Sequence, residues 1–368
     1  MAQKLTSVNI LENVWLLIGL KLSPVSCFAR IVNHILRFDA IGIIFYLLCY
    51  SIHWTFKNDR GGDRFYLISD ISYVYLYLIV LIGLIRHSRK RRAILRYQRL
   101  LLKSVDTNEL SKINRFGYEL LIFGLFASIG HMMSLLIYSL SRPAWVVVRN
   151  NIGFNVSDDV RVQTLIASYM IVGVFKGMSL FLVLCAIYYL LHLFILKEIA
   201  IKFYRNTSLI QISSAHYLKI AYHNQKLHNC FNDFESLFSF YPFVWTSFLF
   251  LKSSAIFMFL ILARNDTLVY TIYELLGYLA HVLIFGFVLM KTIQFSEQIE
   301  HEKSILVKRL EISFNKDSSL GQLIESIRES KYLFTVWQIV PINRSFIFQY
   351  LSTLTSFSAL FSNLAQIN

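Results

Sequence analysis

The chain has 368 residues, of which 56% are hydrophobic and 15% aromatic, and a formal net charge of +14. With a mean hydropathy of +0.53, this is too apolar for a soluble domain of such length and points to a polytopic membrane protein. The positive charge lies in loops between apolar runs, which argues against a nucleic-acid partner. Cys27, Cys49, Cys185 and Cys230 are scattered, with neither metal spacing nor a disulfide framework.

In chain order, Ile10–Leu20 is a short apolar run broken by Glu12 and Asn13. It reads as an amphipathic helix and not as a cleavable signal. Seven membrane spans follow by length and hydropathy. They are Phe38–Trp54, Phe65–Ile85, Tyr118–Leu140, Thr164–Leu193, Leu237–Leu262, Tyr270–Thr292 and the final stretch from Pro341. The fourth is long enough to continue as a helix into the aqueous phase. Between the spans, Leu196–Ser236 and Ile293–Lys331 carry apolar residues at three- and four-residue steps among charges. Ile305, Leu306 and Leu310, then Leu320, Leu323, Ile324 and Ile327, are the clearest stripe. These are expected to be cytoplasmic helices that pack against copies of themselves. Leu333–Ile339 is expected to form a short apolar helix ended by Pro341.

Orientation follows from Lys and Arg. Segments on the N-terminal side of the membrane carry 27 of them and those on the opposite side carry 7. The positive-inside rule places the N-terminus in the cytoplasm and, after seven crossings, the C-terminus outside. The sequons at Asn155 and Asn265 fall in expected outer loops, as glycan acceptors must, whereas those at Asn206 and Asn343 fall inside. The basic run from His87 to Arg92 reads as a topology anchor near anionic lipid. This architecture inverts that of a G-protein-coupled receptor, whose N-terminus is outside. The fold class is therefore all-α, with seven transmembrane helices and long cytoplasmic helical extensions. Its parts are a cytoplasmic segment (1–37), six spans (38–292), cytoplasmic anchor helices (293–340) and a last span (341–368).

That last span is polar on one side. At about 100° per residue, Ser352, Thr355, Ser356, Ser358, Ser362, Asn363 and Gln366 share one arc. Phe346, Tyr350, Leu354, Phe357, Leu360, Phe361 and Leu364 lie opposite. A polar face at membrane depth needs water or polar partners. One reading is a pore lined by several copies. The other is hydroxyls bonded to their own backbone or to a neighbouring helix.

These features resemble the insect gustatory receptor family, kin of the insect odorant receptors. The resemblance rests on Leu17-Ile-Gly-Leu followed by Pro24, on seven spans, and above all on Pro341-Ile-Asn-Arg-Ser at the entry to the last span. The family's closing motif (Thr-Tyr, five hydrophobic residues, Gln-Phe) is matched with departures. Gln366 is kept, while Ala359, Leu360 and Ile367 replace Thr, Tyr and Phe.

The resemblance implies a ligand-gated, non-selective cation channel of four subunits, alone or with other gustatory receptor subunits, in the plasma membrane of sensory neurons. Four copies of the last span line its pore. By position Ile367 is the hydrophobic gate, with Gln366 beside it and Asn363 one turn inward. The implied tastant pocket lies among the outer halves of the middle spans. That region supplies His131, Met133 and Tyr138, then Tyr169 and Met170, then Phe257, and then Tyr273 and Tyr278. Such a lining suits a small, largely apolar ligand. Lys176 and Lys252 lie near the middle of apolar spans, where an unpaired ammonium is costly. They contact acidic ligand groups, pair with Asp70 or Glu274, or snorkel. No cofactor or metal is implied. The alternatives are a seven-span receptor signalling through a cytoplasmic partner and a polytopic lipid-modifying enzyme. For the enzyme the sequence offers no Gly-x-Ser-x-Gly and no paired midplane carboxylates.

Overall fold

The structure is a computed structural model describing residues 103–140, 161–209, 214–262, 265–312 and 318–366, with scattered positions between 78 and 101. Along 127–140, 161–181, 255–278 and 361–366 it describes the helical path and not the side chains. The elements are α1 (Thr107–Leu140), α2 (Arg161–Leu209), α3 (Ser214–Phe238), α4 (Phe240–Leu262), α5 (Asn265–Ile312) and α6 (Ser318–Glu329). A hairpin of β1 (Thr335–Val336) and β2 (Val340–Pro341) and a final helix α7 (Arg344–Gln366) complete the order. The expected spans one and two, and the sequon at Asn155, lie outside the described residues apart from scattered positions of the second span.

Local chemistry sets several of these boundaries. The backbone N–H of Asp106 donates to the Glu109 carboxylate at 3.0 Å, and the Leu110 N–H returns to the Asp106 carbonyl at 3.0 Å. This is the acidic capping arrangement that starts α1. Lys202 of α2 pairs with both Asp106 and Glu109, tying the start of α1 to the far end of α2. Between α3 and α4 the axis bends by 42° at Ser239. Pro242 follows in the first turn of α4, where it lacks the N–H that would continue α3.

The two longest helices, α2 with 49 residues and α5 with 48, reach about 70 Å at 1.5 Å per residue. A hydrocarbon core is only about 30 Å thick, so both overrun it. Residues 182–208 and 281–312 are long and apolar enough to cross a membrane, as is the bent α3–α4 pair if it counts as one span. The helical continuation expected for the fourth span is present, and the sixth continues without a break through position 292 to Ile312.

α2 is the central helix: 83% of its apolar window is buried, which is why it shows no amphipathic stripe. Tyr189 of α2 meets Trp245 of α4 edge-on at 5.2 Å, and Trp245 lies parallel to Phe285 of α5 at 6.0 Å. His192 stacks on Phe238 at 5.1 Å, at the end of α3. Four helices therefore meet at one aromatic cluster beside the α3–α4 elbow.

Two expectations change. The stripe of Leu306, Leu310, Leu320, Leu323, Ile324 and Ile327 is buried within the chain itself, where α6 packs on α3 and α5. Contacts between copies would use another face. Leu333–Ile339 is not a helix. From Ser330 to Trp337 burial alternates, with Tyr332, Phe334 and Val336 inside and Lys331, Leu333 and Trp337 outside or half-exposed. That period of two belongs to an extended strand. β1 and β2 pair antiparallel, with Val336 opposite Val340. Trp337 (φ 51°) and Gln338 (φ 60°) turn the corner in the left-handed region, rare for side chains of this size.

Candidate pore helix and its anchorage

α7 begins from a fixed platform. The Tyr332 hydroxyl meets that of Tyr204 at 2.5 Å and donates to Asn224 at 3.4 Å. Asn224 donates to the Ser330 hydroxyl at 3.1 Å, and the buried Lys303 ammonium to the Ser330 carbonyl at 2.5 Å. Lys303 also lies over the Tyr332 ring at 5.4 Å. Burial, reinforced by the neighbouring Tyr332, pushes the Tyr204 phenol well up, and burial pushes that of Tyr332 up to about 12. Both remain neutral donors at physiological pH. Tied this way, α2, α3 and α5 hold the strap that leaves α6.

The hairpin is clamped next. Glu235, in the last turn of α3, accepts from the Thr335 N–H at 3.2 Å and from its hydroxyl at 2.5 Å. The Trp337 N–H donates to the Ser239 carbonyl at 2.8 Å, satisfying a carbonyl at the elbow. The Trp337 ring rests on Phe243 at 4.6 Å and Phe240 at 5.5 Å. The hairpin therefore bridges the end of α3 and the start of α4.

The Asn-Arg-Ser element then acquires physical roles. The Asn343 side-chain oxygen accepts from the Phe346 N–H at 2.9 Å, which makes Asn343 the N-cap of α7. Arg344 reaches back to α5, its Nε and Nη2 donating to the two Glu297 carboxylate oxygens at 2.8 and 2.9 Å. A bidentate guanidinium–carboxylate pair fixes direction as well as distance.

Beyond the cap, α7 docks one face on α4. Phe250 meets Tyr350 at 6.2 Å and Phe357 at 5.3 Å, and the Tyr350 hydroxyl donates to the Thr246 carbonyl at 3.4 Å. Phe346, Tyr350, Leu354 and Phe357 are half-buried, as their shared face predicts, whereas Leu360 of that face is exposed because the docking on α4 ends before it. Ser352, Thr355 and Ser356 are exposed. Thr353 and Thr355 return their hydroxyls to the carbonyls of Gln349 and Leu351, at 2.8 and 2.9 Å. Back-bonding is therefore real for these two, yet no helix of the same chain covers their face among the described residues.

Asn363 and Gln366 lie in the last turns of α7, with side chains outside the description, and Ile367 lies outside the described residues. The proposed pocket residues fall on four helices that pack on one another: His131, Met133 and Tyr138 on α1, and Tyr169, Met170 and Lys176 on α2. Lys252 and Phe257 fall on α4, and Tyr273 and Tyr278 on α5. Their side chains, too, lie outside the description. Asn265 opens α5, while Asn206 lies inside α2. Sequence reasoning missed Glu235, Glu297 and the elbow at Ser239. Their partners stand 47 to 100 residues away, and no local pattern announces such pairs.

No family model matches the chain, and no curated protein matches it. Solved structures do. The insect olfactory receptor OR5 from Machilis hrabei is similar at a TM-score of 0.67 and 12% identity, covering 98% of each chain. The same receptor in complex with eugenol is similar at 0.61, with the same identity and coverage. The chain therefore has the fold of an insect olfactory receptor along nearly its whole length.

Proposed function

We propose that the chain is one subunit of a ligand-gated, non-selective cation channel in the plasma membrane of chemosensory neurons, opened from outside by a small-molecule tastant. Seven spans, an N-terminus inside and a C-terminus outside complete this reading, with four subunits around a pore lined by α7. Asn155 and Asn265 would carry glycans. It is a receptor and not an enzyme, and it works among membrane lipids without a cofactor. The observation that carries the proposal is α7 itself. It is capped, tied to α5 and docked on α4 along its greasy side, leaving hydroxyls exposed on the other. A helix held so firmly on one face presents the opposite one to water or to other copies.

Ile367 closes the pore by dewetting in this reading, with Gln366 and Asn363 on the conducting side. The pocket among α1, α2, α4 and α5 takes an aromatic or largely apolar molecule. That the solved relative binds eugenol supports such a ligand class. The test needs no known tastant. Ile367→Ala should raise the ligand-independent cation current of cells carrying the chain at the surface, alone or with a partner subunit, several-fold over the unmodified protein. Unchanged resting current at equal surface expression would remove Ile367 as the gate.

A further inference from the structure

Two cations, Arg86 just before the basic run and Lys90 within it, lie on the wrong side of their helix for a topology anchor. In the helical stretch 92–101, Ile94, Tyr97, Gln98 and Leu101 are buried, while Arg92, Arg96 and Arg99 face outward. Arg86 and Lys90 precede Ile94 at four-residue steps, so they continue the buried stripe. An anchor needs only the outward set.

Both cations converge on the α3–α4 elbow. Lys90 Nζ donates to the Ser236 carbonyl at 2.6 Å, and Arg86 Nη2 approaches the same oxygen at 3.5 Å. The lysine alone suffices to cap the end of α3. Arg86 has donors to spare. Its guanidinium lies over the Phe240 ring at 5.3 Å, and its Nε is buried with no acceptor. Among the described residues no carboxylate pairs with either cation. Burial, and then the charge of Arg86, hold Lys90 below its ordinary pKa. Both side chains line a shallow surface depression, partly open to solvent, with Gly83, Ile94, Leu237, Phe240 and Tyr241.

We propose that Arg86 and Lys90 form a binding site for the phosphomonoester headgroup of an inner-leaflet lipid, seated against the α3–α4 elbow. Two adjacent cations match a dianion, and the guanidinium fork matches two phosphate oxygens. A lipid is the source because the depression stands where the second span ends and the fifth begins, with an apolar rim of Leu237 and Phe240. This placement rests on the orientation proposed above. Phe240 also carries Trp337 of the hairpin, so an occupied site is in contact with the segment that leads into α7.

The experiment uses the full chain in detergent and follows its thermal unfolding with three probes: dioctanoyl phosphatidic acid, dioctanoyl phosphatidylcholine and inorganic phosphate. Phosphatidic acid alone should raise the midpoint. Arg86→Gln should weaken that response about tenfold, the loss expected for one charge-assisted contact, and Lys90→Gln serves if Arg86→Gln does not fold. Arg96→Gln, on the outward face, should leave the response intact. Equal shifts with phosphatidylcholine, or equal loss in the Arg96 variant, would overturn the site. A matching shift with inorganic phosphate would overturn the lipid as its source. Binding in detergent requires neither current nor orientation, so its failure would leave the channel reading standing.

Discussion

Glu235 joins the end of α3 to the hairpin through one carboxyl group. Burial pushes it from 4.5 up to about 7, against the two bonds from Thr335, which favour the charged form. A carboxyl raised on folding binds its proton more tightly in the native state than in the unfolded one. Its contribution to stability is therefore complete below about pH 4.5 and is lost as pH rises through about 7. Glu235→Gln keeps an acceptor for Thr335 and removes the titration. The unmodified chain should lose midpoint temperature relative to this variant between pH 5 and pH 7.5. An equal gap at both pH values would show that Glu235 does not titrate in that window. The charge of Glu235 was legible in the sequence, but its role was not, because Thr335 stands 100 residues downstream.

Helix contacts depend on how closely backbones approach. A Cβ on Gly124 of α1 would fall 2.4 Å from Ile187 Cδ1 and 3.2 Å from Val183 Cγ1 on α2, whereas at Gly286 of α5 it would meet nothing within 4 Å. Ile187 and Val183 are buried and have little room to move. Gly124→Ala should therefore destabilise the chain by about 1–3 kcal/mol through overpacking, while Gly286→Ala should be neutral or slightly stabilising through helix propensity. Thermal unfolding of the two variants side by side checks this. Equal midpoints would mean that α1 and α2 do not meet at Gly124. At this same scale the extended segment leading into β1 was not legible, because its run of large apolar residues, Tyr332 to Phe334, read as a short helix and the alternation shows only in burial. The choice was made by Ser296, which donates to the Tyr332 carbonyl at 3.1 Å, and by the Glu235 clamp.

For the whole molecule, orientation is the property on which the proposed function stands. An epitope tag after Asn368 should be stained in intact cells that carry the chain at their surface, the outcome expected from 27 against 7 basic residues under the positive-inside rule. Staining only after permeabilisation would reverse the orientation and remove a pore helix entered from the cytoplasm. The olfactory receptor fold over 98% of the chain agrees with the helical membrane architecture read from hydropathy.

What the sequence determined by itself was whatever rests on local periodicity: apolar length, the docked and polar faces of α7, and the helical continuation of α2 past the length of a span. These depend on residues three or four positions apart, which one chain of letters displays directly. Only the tertiary structure decided which apolar stripes are covered within the subunit, that the strap before α7 is a hairpin, and that Arg344 is held by Glu297. It also turned Arg86 and Lys90 inward. Those outcomes depend on partners dozens of residues away, brought together by packing around α2, and no spacing along the chain encodes them.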